Sequence, residues 1–124
     1  DNKYVTEYSD IFDKISIFII KECDILPAPA QGILCAEYAN DDMAEILEKI
    51  QDKECASLFI AERRYLSVLQ ADCHTSAGIY ISDNQKKYSI KAYFDGKYME
   101  ADNIEKTLEK LLIAIEELAG KLKR

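Results

Sequence analysis

Length, composition and charge restrict the kind of protein that this chain can be. Its 124 residues are 48% hydrophobic and 31% charged, which is typical of a globular domain that buries a core without needing disulfides. A net charge of −7 argues against nucleic acid and anionic membranes as general partners. No apolar run approaches the ~18 residues of a membrane span.

Four cysteines are present, and none forms a C-x-x-C pair: Cys23, Cys35, Cys55 and Cys73. The spacing therefore supports neither a zinc ribbon nor a thioredoxin-like site, and we expect no metal. No secretory signal is visible, so we expect reduced thiols and a cytoplasmic location in preference to two disulfides.

The first 40 residues predict a helix, a hinge and a strand. Residues 7–20 place apolar side chains at helical spacing. Pro27 and Pro29 then force an extended course, which makes residues 23–32 a candidate linker or hinge. Residues 32–38 are typical of a short strand. The apolar positions of the predicted helix are Tyr8, Ile11, Phe12, Ile15, Phe18 and Ile19.

From Asp41 the pattern predicts a compact α+β unit. Helices are predicted over 41–50 and over 53–69, the second capped by Asp52. Glu62 lies on the apolar stripe of the second helix and needs a partner, either Arg63 or a backbone amide.

Three strands and a last helix complete the unit. The strands are predicted over 76–82, 87–94 and 97–100, with Asp95-Gly96 as a type I′ hairpin turn. The last helix is predicted to open with a capping box at Asp102. The expected fold is a three-stranded antiparallel sheet covered by helices in the order α-α-β-β-β-α, preceded by a helix and a short strand.

Cys73 is the thiol that stands apart from the others. Cys35 and Cys55 have apolar neighbours within predicted elements and are expected to be structural. Cys73 ends the helical run and has small or polar neighbours, so it suits an attachment point or a nucleophile. His74 follows it, but adjacent residues of an extended segment point in different directions. We therefore expect His74 to be a solvent-facing loop residue, not a catalytic base.

Three ordered motifs resemble the hydroxymethylbilane synthase family, also called porphobilinogen deaminase. Residues 26–32, LPAPAQG, with Glu37 after them resemble its L-P-A-x-G-Q-G-A-x-x-I-E-x-R segment. Residues 61–66, AERRYL, resemble its A-E-R-x-[FL]-L, and residues 69–73, LQADC, resemble its L-x-G-G-C. The similarity runs from about Tyr8 to near the end of the chain.

The chain departs from the family pattern at several positions. The two glycines of G-G-C are Ala71 and Asp72, and the first glycine of G-Q-G is Ala30. Ala39 stands where the family has arginine, and Ser76 stands where it has the proline of C-x-x-P. Because alanine and aspartate do not adopt glycine's conformations freely, these changes put the local backbone geometry in question.

The resemblance implies that Cys73 carries a dipyrromethane cofactor through a thioether. In the family this cofactor is built from two porphobilinogen units and primes the addition of four more, which water releases as hydroxymethylbilane. The catalytic acid and the arginines that bind the substrate's carboxylates belong to two N-terminal domains in the family. The resemblance thus implies no catalytic residue in this chain.

The resemblance also implies a division of the chain. Residues 1–40 would be the linking helix, hinge and strand that belong with the preceding domains, and residues 41–124 would be the C-terminal cofactor-attachment domain. The two N-terminal domains are the implied partners, and a dimer through the N-terminal helix is a further option. Alone, the fragment is expected to be inactive and to lack the cofactor. The alternatives are a non-catalytic α+β interaction module and, with less support, a cysteine hydrolase using Cys73 and His74.

Overall fold

A computed structural model describes residues 14–16, 18–21, 24–72, 74–84 and 86–124. Within these residues the element order is the one that the sequence predicts, α-α-β-β-β-α, and the α+β class is confirmed. No helix in this part of the chain is both long and apolar enough to cross a bilayer. The elements are α1 (Asp41–Ile50), α2 (Lys53–Leu69), β1 (Ala77–Asp83), β2 (Lys87–Phe94), β3 (Lys97–Glu105) and α3 (Leu108–Leu122).

Each helix begins at a residue whose side chain accepts hydrogen bonds from the first turn. Asn40 caps α1 through the amide of Met43, at 3.1 Å. Asp52 caps α2 as predicted, accepting from the amides of Glu54 and Cys55 at 3.0 and 2.9 Å. Such caps satisfy amides that have no partner within the helix.

The three strands form an antiparallel meander in the order β1-β2-β3. The turn between β2 and β3 has positive φ at both central residues, 47° at Asp95 and 83° at Gly96. That combination is the type I′ geometry that the Asp-Gly pair predicts. Central pairs such as Ile81 with Ile90 place their side chains on the face that the helices cover.

The core lies between this sheet face and two helices, α2 and α3. Both helices bury one side against the sheet and against each other. At about 25 cal/mol per Å² of buried apolar surface, these side chains supply most of the driving force for folding. The largest fully buried residues are Tyr65, Ile79, Ile90, Leu111, Ile115 and Leu122.

The first helix does not join this layer. None of the residues of α1 is buried, and the helix does not pack against any other helix or strand of the described part. Its apolar side follows the predicted spacing, yet Ile46 is 54% and Ile50 76% exposed. The sheet is therefore covered by two helices, not by three.

The third strand is longer than predicted, and the prediction of a capping box at Asp102 is wrong. Strand β3 continues to Glu105, and α3 is capped by Thr107 through the amide of Lys110. The register shifts between Tyr88 and Ile90, so that two residues of β3 lie opposite one of β2. Asn103 in this bulge has φ 61°. Asx residues are favoured at helix caps and in left-handed backbone alike, which explains the error.

The predicted N-terminal helix is not present in the part of it that the structure describes. Residues 14–16 and 18–21 are exposed and not helical, and residues 7–13 and 17 lie outside the described residues. Ile15, Ile19 and Ile20 in this part are β-branched and exposed, so a helix here would restrict their side-chain rotamers without burying them. The short strand predicted at 32–38 is also wrong, because residues 33–38 pair with no strand.

Candidate functional site

The candidate attachment loop connects the end of α2 to the start of β1. Gln70 ends the helix with left-handed backbone, φ 56° and ψ 36°. The amide of Ala71 then donates to the carbonyl of Leu66 at 3.1 Å, and that of Gln70 to Ser67 at 3.2 Å. This pattern is a Schellman motif, which stops a helix sharply and turns the chain away from its axis.

A tight turn at residues 72–75 follows the helix end. The amide of Thr75 donates to the Asp72 carbonyl at 3.1 Å. The Asp72 carboxylate accepts from the His74 amide at 2.9 Å and from the Thr75 hydroxyl at 2.8 Å. Cys73, the predicted cofactor residue, lies outside the described residues. The structure thus gives the frame of the loop through the residues on either side of the thiol.

The frame of the loop lies at the surface. Asp72 and His74 are both exposed, so the prediction of His74 as a solvent-facing residue is confirmed. The hydrogen bonds from the Thr75 side chain and the His74 amide hold the pKa of the Asp72 carboxyl below its usual value. The loop therefore carries a negative charge beside Cys73 at neutral pH.

A double turn precedes α1 in the chain and lies against α2. The amide of Gln31 donates to the Ala28 carbonyl at 3.0 Å, with Pro29 and Ala30 as the central residues. Ala30 has φ 65°. Proline followed by a residue of positive φ defines a type II turn, in which the second central residue is normally glycine. A second turn follows at once, since the Ile33 amide donates to the Ala30 carbonyl at 3.3 Å.

Glu62 on α2 holds this double turn. Its carboxylate accepts a hydrogen bond from the backbone amide of Ala30. The sequence predicts that Glu62 needs either Arg63 or a backbone amide, and the structure selects the amide, while Arg63 is exposed. Burial raises the pKa of Glu62, and the Ala30 hydrogen bond opposes that shift. The neighbouring Arg64 instead pairs with Glu116 on α3, at 2.7 Å.

The residues before the double turn lie along the free edge of β1. The Ile79 amide donates to the Pro27 carbonyl at 3.0 Å. A Cβ atom at Gly78 would lie 2.9 Å from the Cβ of Leu26, so only glycine permits this approach. A shallow groove of about 320 Å³ opens beside the contact; its lining includes Leu26, Ser76, Tyr93 and Tyr98.

The other cysteines do not resemble buried structural residues. Cys35 is exposed, which contradicts its predicted structural role, because the strand that would have buried it does not form. Cys55 is only half-buried in the first turn of α2. Both are free thiols, and Cys23 lies outside the described residues. Among the residues described there is no cluster of His, Cys, Asp and Glu that could hold a metal ion.

Sequence reasoning missed two contacts that shape this region. The buried hydroxyl of Tyr65 donates to the Tyr93 carbonyl at 2.8 Å and ties α2 to β2. The packing of Leu26 on Gly78 was also missed. A glycine inside an alternating strand pattern is a signal for close backbone approach, so the contact at Gly78 could have been expected from the sequence. The hydrogen bond from Tyr65 to Tyr93 had no such signal.

Comparison with known proteins gives a consistent set of relatives. The chain is 32% identical over 117 residues to the porphobilinogen deaminase of Fusobacterium nucleatum, covering 89% of this chain and 39% of the relative. It is 30% identical over 108 residues to that of Caldicellulosiruptor saccharolyticus, covering 86% and 37%. It is 38% identical over 94 residues to that of Francisella philomiragia, covering 71% and 31%. No family model matches the chain.

All three relatives have the same name, and each similarity covers most of this chain. The chain belongs to the porphobilinogen deaminase family. It spans at most about two-fifths of the length of the three relatives above.

The departures from the porphobilinogen deaminase motifs have unequal structural consequences. Neither Ala71 nor Asp72 has a positive φ, so the loss of the two family glycines there does not strain the backbone. The left-handed residue at the helix end is Gln70, one position earlier. Ala30 is the departure that matters, because its φ of 65° favours the glycine that the family motif has at this position.

Proposed function

We propose that this chain is the C-terminal, cofactor-carrying part of a hydroxymethylbilane synthase, with a dipyrromethane attached to Cys73. The observation that carries the proposal is the exposure of Asp72 and His74, the residues that precede and follow Cys73 in the sequence, neither of which belongs to the core. A side chain at such a position can hold a bulky group without disturbing the packing of α2, α3 and the sheet. The parent protein would polymerise four porphobilinogen units in tetrapyrrole biosynthesis.

The chemistry of a thiol suits this attachment. Loss of ammonia from porphobilinogen leaves an azafulvene, to which a cysteine sulfur adds. The sulfur forms a new C–S bond, and the thiol proton ends on the pyrrole nitrogen. Sulfur is a good nucleophile toward such a carbon centre, and the resulting thioether is stable. Cys73 would therefore serve as an anchor, while proton transfers occur at groups supplied by the rest of the parent.

The charges around the loop support a division of labour within the parent protein. Dipyrromethane carries carboxylates, yet the ionised Asp72 lies beside Cys73. Arg64 is paired with Glu116, and the Lys123 ammonium donates to the Val68 carbonyl at 3.3 Å. We infer that the cationic groups that bind the cofactor and substrate come from the two N-terminal domains of the parent, and that this chain alone is inactive.

Exposed apolar surface supports the same assignment. The apolar side of α1 has no partner among the described residues, and Leu34 in the segment before it is 98% exposed. A globular protein rarely leaves such a surface uncovered. We infer that further residues of the parent cover it, with a dimer of the fragment as the second option. We place the parent in the cytoplasm, for which the free thiols Cys35 and Cys55 are suitable.

The test is the mass of the purified full-length parent. We expect an adduct of one dipyrromethane, mapped by peptide analysis to Cys73 and absent from Cys73→Ser. Cys35→Ser, which removes a thiol that is exposed in the structure, is the matched control and should keep the adduct. A full-length parent without the adduct would overturn the proposal. The chain expressed alone should have an unmodified Cys73, and an adduct found there would contradict the need for the other domains.

A non-catalytic interaction module remains the second candidate, favoured by the uncovered side of α1. The two candidates differ in what they need from Cys73. An interaction module would keep its function in the Cys73→Ser parent, whereas the synthase would lose cofactor and activity together.

A further inference from the structure

Two contacts fasten residues 26–31 to the elements on either side of the Cys73 loop. At one end, the Ala30 amide donates to the Glu62 carboxylate on α2. At the other, the Pro27 carbonyl accepts from the Ile79 amide on β1, and Leu26 packs against Gly78. The loop that contains Cys73 is the direct connection between α2 and β1. Residues 26–31 are thus a second, non-covalent connection between the same two elements.

We propose that residues 26–31 form a clasp that braces α2 against β1 and thereby holds the Cys73 loop in place, with Glu62 as its positioning residue. The clasp opens and closes as a unit, because its two hydrogen-bonded ends, Pro27 and Ala30, are separated by only two residues. This proposal does not depend on a cofactor at Cys73, since it concerns the frame of the loop and not its cargo.

Three features of the sequence fit a clasp better than a passive linker. Pro29 restricts the backbone between the two contacts, which links their positions. The Ala28 amide donates to the Gln31 side chain at 3.1 Å, closing the first turn on itself. The Pro27 carbonyl gives a partner to an amide on the free edge of β1, where an unpaired group would otherwise face solvent. The predicted hinge at 23–32 therefore contains a fastened part, and the first freely exposed stretch after it is residues 34–40.

Amide hydrogen exchange of the 124-residue chain, measured residue by residue, tests the clasp. Three amides report on it: Ala30 and Ile79 at its ends, and Thr75 in the loop. In Glu62→Ala we expect all three to exchange about tenfold faster or more, the factor expected when a hydrogen bond to a charged group is lost. The amide of Ile90 in the central strand reports global stability and should change little.

Rescue and control variants separate positioning from a general loss of stability. Glu62→Gln keeps an acceptor for the Ala30 amide and should restore the slow exchange of Ile79 and Thr75. Glu116→Gln removes the exposed pair with Arg64 and should leave all three amides unchanged. If Glu62→Ala accelerates Ala30 alone, the two ends are independent and the proposal is wrong.

A second variant tests the clasp from its opposite end. Gly78→Ala places a Cβ against Leu26 and should displace the clasp from β1. Because the clasp opens as a unit, the Ala30 amide should also exchange about tenfold faster, although Glu62 is untouched. Unchanged exchange at Ala30, in a variant whose Ile79 amide has become exposed, would overturn the proposal. The Gly78→Ala measurement thus tests whether the two ends of the clasp are coupled, even where Glu62→Ala does not fold.

Discussion

The backbone amide of Ala30 donates to the carboxylate of Glu62, joining residues that are 32 positions apart in the chain. This contact links two of the three motifs that the chain shares with porphobilinogen deaminases. It also places a half-buried carboxylate where its hydrogen-bond donor is a backbone amide and not a cationic side chain. The contact is favourable as a hydrogen bond and unfavourable as burial of a charge.

The raised pKa of Glu62 gives a stability that depends on pH. Burial raises it above 4.5, so between pH 4.5 and the folded-state pKa the native chain binds more protons than the unfolded chain. The contribution of Glu62 to stability is then fully present below pH 4.5 and is lost as the pH rises through the folded-state pKa. Glu62→Gln, which is always neutral, should lose this decline and be at least as stable as the wild type at pH 7.

Urea unfolding of both chains between pH 4 and pH 8 measures this difference. The two unfolding free energies should converge toward pH 4 and separate as the pH rises, with the glutamine variant higher. A glutamine variant that becomes less stable than the wild type as the pH rises would show that the charged hydrogen bond outweighs the cost of burial.

Replacing Ala30 with glycine should stabilise the chain. A left-handed backbone costs an L-residue roughly 1–2 kcal/mol, partly offset by the larger unfolded-state entropy of glycine. We therefore expect Ala30→Gly to raise the free energy of unfolding by about 0.5–1 kcal/mol. Ala28→Gly, in the same turn but without positive φ, is the matched control and should lower it by up to about 1 kcal/mol. Equal effects of the two changes in urea unfolding would show that Ala30 is not strained.

The elements whose packing is local in sequence were predictable, and those that depend on distant partners were not. The bounds of α2 and β2 match the predicted ranges because their apolar periodicity and the Asp52 cap agree. The segment at 14–21 has helical spacing but is not helical where it is described, whereas α1, which also packs against no other element, begins at the Asn40 cap. Apolar periodicity alone therefore does not decide whether a helix forms.

In the candidate site, too, features set by neighbouring residues were predictable and contacts between distant residues were not. A need for a partner at Glu62 follows from the apolar stripe of α2, but the identity of the partner depends on how a segment 32 residues away folds back. The exposure of His74 follows from its polar neighbours. The brace between Pro27 and Ile79 does not follow from any local pattern, because it joins a coil segment to the edge of a sheet.

Removing the hydroxyl of Tyr65 should destabilise the core. Tyr65 is fully buried, and its hydroxyl donates to the Tyr93 carbonyl at 2.8 Å. Tyr65→Phe leaves that carbonyl without this donor, so we expect a loss of about 1–2 kcal/mol in the free energy of unfolding. Tyr80→Phe, on the exposed face of β1, should change it by less than about 0.5 kcal/mol. A loss at Tyr65 no larger than that at Tyr80, by chemical denaturation, would show that the hydrogen bond adds nothing net.

The Asp72 carboxyl should titrate below its ordinary value, and Thr75 should be the main reason. Its pKa is lowered from 3.8 by the Thr75 hydroxyl first and the His74 amide second. A depressed carboxyl contributes stability above its unfolded-state pKa of 3.8 and loses it as the pH falls through the folded-state pKa. NMR titration of the Asp72 side chain should give a midpoint below 3.8.

Thr75→Val provides the decisive comparison for Asp72, because valine is similar in shape and has no hydroxyl to donate. The Asp72 midpoint should move up toward 3.8 in this variant, and the turn at 72–75 should loosen, with faster exchange of the His74 amide. The hydroxyl of Ser82 donates to the Ser89 carbonyl, away from the loop. The control variant Ser82→Ala should therefore leave the Asp72 midpoint unchanged. An unchanged midpoint in Thr75→Val would assign the lowered pKa to the backbone amides alone. The turn at 72–75 would then be stabilised by its backbone hydrogen bonds and not by the hydrogen bond between the Asp72 and Thr75 side chains.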